Sequence, residues 1–78
     1  MRSPDTFTPV EKRFAQAFKL ARTELGLPRR EMASLLGYPG ESSIRGIETM
    51  NAMPSAEKTI LAIAYLGLDV SEIVGDDG

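Results

Sequence analysis

Four residues, Gly37-Tyr38-Pro39-Gly40, separate two short segments and constrain the chain more than any other stretch. Before them, Arg29 to Leu36 reads as a short helix. After them, Glu41 to about Thr49 reads as another. Gly37 is free to take a positive φ, and Pro39-Gly40 prevents one continuous helix. The first segment presents Met32, Ala33, Leu35 and Leu36 as its buried face. The second has only Ile44 and Ile47 as clear core anchors. Its outward face is Glu41, Ser42, Ser43, Arg45, Gly46 and Thr49. A small, polar face with a glycine inside it is poor on helix propensity. The plainer account of it is a connector helix held only by packing.

The flanks read as scaffold for this pair. Thr8-Pro9-Val10-Glu11 is a strong helix start, with Thr8 and Glu11 placed for reciprocal capping and Pro9 where its missing N–H costs nothing. Val10, Phe14, Ala17, Phe18, Ala21 and Leu25 then recur at three- and four-residue spacing, one apolar stripe that Gly26 terminates. Pro28 can serve as the first residue of the next helix. Met50 to Met53 reads as a loop. Pro54-Ser55 opens a fourth helix with the stripe Ile60, Leu61, Ile63, Ala64 and Leu66, closed by Gly67. Ser71 then caps a brief fifth turn anchored by Ile73 and Val74. No stretch alternates long enough for a strand. The expectation is one all-α, compact domain over residues 8–74, after a flexible leader at 1–7 and before a disordered tail at 75–78.

Composition narrows the chemistry. The 78 residues contain no cysteine and no histidine. Disulfides, thiolate metal sites, Ser-His and Cys-His catalysis and ordinary zinc sites are thereby removed. No phosphate-cradling glycine loop is present, and Asp69/Glu72 and Asp76/Asp77 read as helix-end and tail charges. No enzyme activity, metal or cofactor is expected. No apolar run approaches a membrane span and no signal peptide is visible, so a soluble cytoplasmic protein is expected. Net charge is −2, but residues 1–30 carry seven basic and three acidic side chains (net +4), while residues 31–78 carry two and eight (net −6). The positive end is the one suited to phosphate.

The order and spacing of several short motifs carry a resemblance. They are Leu20-x-Arg22-x-x-Leu25-Gly26-Leu27, Met32-Ala33-x-Leu35-Leu36-Gly37-Tyr38, Ile44-x-x-Ile47-Glu48, Pro54-Ser55 and Leu66-Gly67-Leu68-Asp69-Val70-Ser71. Over about Phe14 to Val74 the chain resembles the lambda-repressor-like, Cro/repressor or XRE-type helix-turn-helix domains. That resemblance implies a five-helix DNA-binding domain, usually a homodimer on a palindromic operator and nucleoid-associated. It implies that Arg29 contacts phosphate or an outer base. Glu41, Ser42 and Ser43 would open the recognition helix, with Arg45 and Gly46 as its next exposed positions. Thr49 and Asn51 would lie in the loop that touches phosphate, and Arg22 and Glu48 would form a structural salt bridge. The chain departs from the common pattern in three places. There is one extra residue between Gly37 and Ile44, Met50 stands where a glycine is frequent, and the reader face has a single arginine headed by Glu41.

The leading functional expectation is a transcriptional regulator, a repressor by preference, that binds double-stranded DNA specifically. Arg29, Arg30 and Asn51 would rest on phosphate, while Ser42, Ser43 and Arg45 would read the major groove, with Arg45 facing guanine. The alternative is a protein-interaction module on the same fold, an antitoxin or a phage-type inhibitor, using Tyr38, Met50 and Met53 as an adaptable contact surface.

Overall fold

The computed structural model describes residues 7–75. Five α-helices and no strand occur among them: α1 (Pro9–Glu24), α2 (Arg29–Leu36), α3 (Glu41–Glu48), α4 (Ala56–Leu66) and α5 (Val70–Val74). The leader at 1–6 and the tail at 76–78 lie outside the described residues. The two boundary residues belong to the packed domain instead. Phe7 is 4% exposed, placed in the core as the chain enters α1. Gly75 caps α5 at φ +83° and lies beneath the Arg13 guanidinium.

The helix starts follow from local chemistry. The Thr8 hydroxyl accepts from the Glu11 amide while the Thr8 amide donates to the Glu11 carboxylate, at 3.1 and 2.8 Å. Ser55 caps α4 through the Lys58 amide. Asp69, rather than Ser71, caps α5: its carboxylate accepts from both the Ser71 amide and the Ser71 hydroxyl. Pro28 stands one residue earlier than expected, as the N-cap of α2 and not its first helical residue. Gly26, Gly37 and Gly67 take positive φ where three helices end.

One core joins all five helices. Phe14 and Phe18 of α1, Met32, Ala33 and Leu36 of α2, Ile44 and Ile47 of α3, Ala62 and Leu66 of α4 and Ile73 of α5 form it. Ala17 and Ala21 of the expected α1 stripe pack against this core, and the stripes depart from expectation at single positions. On α1 the buried line is Phe14, Ala15, Phe18 and Arg22. Val10 and Leu25 are 41% and 57% exposed because they stand at the helix ends, beyond the neighbours that cover the middle. On α2 the buried set is Met32, Ala33 and Leu36, while Leu35 falls off that arc and is 42% exposed. On α4, Ala62 and Leu66 face inward, Leu61 and Ile63 are half-buried, and Ile60 and Ala64 lie on the opposite side. Arg13 fastens α5 to α1. Its Nε donates to the Ile73 carbonyl at 2.7 Å and its Nη2 to the Val74 carbonyl at 2.8 Å, satisfying carbonyls that a helix end leaves free. No helix among the described residues is long and apolar enough to cross a membrane.

Candidate nucleic-acid interface

The site is built on α3, which is held from one side only. Ile44, Ile47 and Glu48 are buried, and Ile44 and Ile47 are among the most completely enclosed side chains described. A helix anchored on one side presents the other. Ser42, Gly46 and Thr49 are spaced four and three residues apart along that outer line, with Glu41 and Arg45 beside it. Glu41, Ser42, Arg45 and Thr49 are exposed, and Ser43 and Gly46 are partly covered. The helix ends at Glu48, so Thr49 is its C-cap rather than its last residue.

Arg45 is the cation of this face. Its Nη2 lies 3.8 Å from the Glu41 carboxylate one turn earlier, and both side chains are more than half exposed. Such a surface pair at one-turn spacing is worth only about 0.3–0.5 kcal/mol, so it does not hold the guanidinium against a competing acceptor. Gly46 is open: a Cβ added there meets nothing within 4 Å. Its carbonyl is occupied, accepting from the Asn51 and Ala52 amides at 2.9 and 3.3 Å. Thr49 Oγ1 donates to the Arg45 carbonyl at 2.8 Å, and Asn51 Nδ2 donates to Thr49 Oγ1 at 3.1 Å. Thr49 and Asn51 are thus exposed as expected, and each also finishes the C-terminal end of α3.

Beneath the face lies a charged junction. The Glu48 side chain is 1% exposed and receives Arg22 through Nε at 2.5 Å and Nη2 at 3.2 Å. Arg22 Nη1 also donates to the Leu27 carbonyl at 2.7 Å. The expected Arg22–Glu48 pair is therefore present, and it ties α1 to α3 and to the α1–α2 link. The sequence reading missed a third member. Arg29 Nε donates to Glu48 Oε1 at 3.1 Å, so Arg29 is not a freely extended surface cation. The signal was present in the spacing: Arg29, Met32, Ala33 and Leu36 stand at i, i+3, i+4 and i+7, so Arg29 heads the inward stripe of α2. Arg30, one residue on, is exposed and has no ion pair among the described residues.

The two helices of this unit share another property. Pro28 and Gly40 provide no side-chain cap to α2 and α3, whereas Thr8, Ser55 and Asp69 cap the other three. The starts of α2 and α3 therefore retain amide donors that their own caps do not use. Tyr38 and Met53 are not the exposed contacts of the interaction-module reading. Both are partly buried and pack against the core, and the Lys58 ammonium stands 5.4 Å from the Tyr38 ring. Burial also pushes the Tyr38 hydroxyl above its ordinary value. Met50 is partly buried as well. Comparison with known proteins finds no matching family, no matching curated protein and no matching solved structure.

Proposed function

We propose that this chain is a lambda-repressor-like helix-turn-helix domain that regulates transcription, preferably as a repressor, by laying α3 in the major groove of double-stranded DNA. The observation that supports this reading most is the one-sided burial of α3. Two isoleucines and a buried glutamate hold it, and its outer line is Ser42, Gly46 and Thr49 with Arg45 alongside. A helix with small polar residues outward can approach base edges closely, and its arginine can pair in bidentate fashion with guanine. The uncapped starts of α2 and α3 suit phosphate oxygens, because helix N-termini present both amide donors and positive dipole ends. Arg29 and Arg30 flank the first of these starts.

The reading takes the domain as a homodimer on a palindromic operator, which would set the two α3 helices about 34–36 Å apart, one turn of the duplex. Few cations per chain then contact phosphate, so binding is of moderate affinity and weakens with salt only in proportion to those few contacts. Selection of bound duplexes from a random pool tests this. The expected product is a two-fold symmetric site. The Arg45→Ala variant is expected to enrich a different base at one position of each half-site. Failure of the protein to retain any duplex at low salt would reject the reading.

A further inference from the structure

The Glu48 carboxylate has two oxygens and three guanidinium contacts. Arg22 takes Oε2 through its Nε and Oε1 through its Nη2, and Arg29 adds its own Nε to Oε1. Two guanidinium charges meet one carboxylate, so the junction carries a net positive charge. The arginines divide unequally between interior and solvent: the Arg22 side chain is 9% exposed and that of Arg29 32%. Arg22 has its Nη1 on the Leu27 carbonyl and its other nitrogens on Glu48, so it is spent inside the fold. Arg29 uses only Nε. Its two terminal amino groups have no partner among the described residues.

A guanidinium gripped at Nε is a fork with a fixed handle. Its orientation is set before a ligand arrives, and both outer nitrogens remain to donate to an oxyanion in parallel. We infer that Glu48 is a positioning residue: it fixes Arg29 so that the terminal amino groups form a bidentate seat for one backbone phosphate, while the same carboxylate holds α3 through Arg22. The inference rests on the DNA-binding reading and adds to it a division of labour between two adjacent arginines. Arg29 is oriented and specific for a planar, two-pronged contact. Arg30 is exposed and unheld, and supplies only diffuse positive charge. The same carboxylate sits at the end of α3, so seating a phosphate on Arg29 also fixes the register of the reader helix on the duplex.

Lysine distinguishes the two roles. A lysine at position 29 that pairs with Glu48 has no second arm for phosphate, and one that reaches phosphate abandons Glu48. A lysine at position 30 keeps everything a diffuse charge supplies. The experiment measures affinity for a selected duplex across a salt series with Arg29→Lys, Arg29→Gln, Arg30→Lys and Arg30→Gln, alongside thermal melts of each protein. Glu48 itself is left intact, because its replacement strands Arg22. Arg29→Lys is expected to lose about ten-fold in affinity at fixed salt. Arg30→Lys is expected to stay within about two-fold of the parent. Arg29→Gln is expected to lower the slope of log affinity against log salt by about 0.9 per chain, the loss of one phosphate contact. Equal affinities for Arg29→Lys and Arg30→Lys, or an unchanged slope in Arg29→Gln, overturn the inference while leaving DNA binding intact. A parent protein that binds no duplex at low salt overturns the reading beneath it as well.

Discussion

Met50 is the one non-glycine residue among the described residues with positive φ, at +62°. It follows the Thr49 cap of α3, where its amide donates to the Ile47 carbonyl at 3.2 Å and the chain must reverse. A left-handed conformation strains an L-residue by about 1–2 kcal/mol, and glycine relieves most of this while raising the unfolded-chain entropy that folding must overcome. Met50→Gly is therefore expected to raise unfolding stability by about 0.5–1 kcal/mol in denaturant titration. The positive φ at position 50 is a conformation that glycine adopts without strain. Asp69 gives a second outcome at this scale. Bonds from the Ser71 hydroxyl and then the Ser71 amide hold its carboxyl below its ordinary 3.8. A carboxyl with a lower pKa in the folded chain than in the unfolded one contributes stability above the unfolded value. That contribution is lost as pH falls through the folded value. Acidification below about pH 4 is expected to lower the protection of the Ser71 and Glu72 amides relative to their intrinsic exchange rates, and Asp69→Asn is expected to remove that acid response.

The element that decides the account is α3. It carries Gly46 at a position where an added Cβ meets no atom of another element within 4 Å. Packing does not require the glycine, and helix propensity disfavours it by about 0.8–1 kcal/mol relative to alanine. Gly46→Ala is thus expected to stabilise the domain by roughly that amount while weakening binding to a selected duplex. A stabilised variant with unchanged affinity would show that closeness at position 46 is irrelevant to binding. At this scale the sequence was most legible. Breakers and caps marked all five helices to within a residue or two, because glycine, proline and short oxygen-bearing side chains act on the backbone beside them. Which side of each helix faced inward was less legible. Alanine at 15 and 62 is small enough to sit on either side, and tertiary contact placed it inside. Leucine at 35 and isoleucine at 60 are apolar enough to be assigned to the core, yet each lies off the buried side of its helix.

At the scale of the whole molecule, two kinds of exposed side chain stand out. One is the outer line of α3 with the arginines of α2. The other is apolar: Ile60 and Tyr65 of α4 and Val70 and Val74 of α5 are 66%, 48%, 49% and 54% exposed. Of the two residues read as anchors of the fifth turn, Ile73 closes the core at 6% exposure, whereas Val74 joins Val70 on the exposed side. The charge polarity read from composition took shape locally rather than globally. Arg13 was spent on the end of α5 and Arg22 on Glu48, so much of the positive excess of the first thirty residues is structural. Sequence alone could not apportion those cations, since their partners lie up to 61 positions away. The central claim is that α3 is the surface presented to nucleic acid. Backbone amide shifts recorded while a selected duplex is titrated into the labelled protein test it most directly. The account expects the largest changes at Ser42, Ser43, Arg45, Gly46 and Thr49, with smaller ones at Arg29 and Arg30. Changes confined to Ile60, Tyr65, Val70 and Val74, with α3 unmoved, would contradict it.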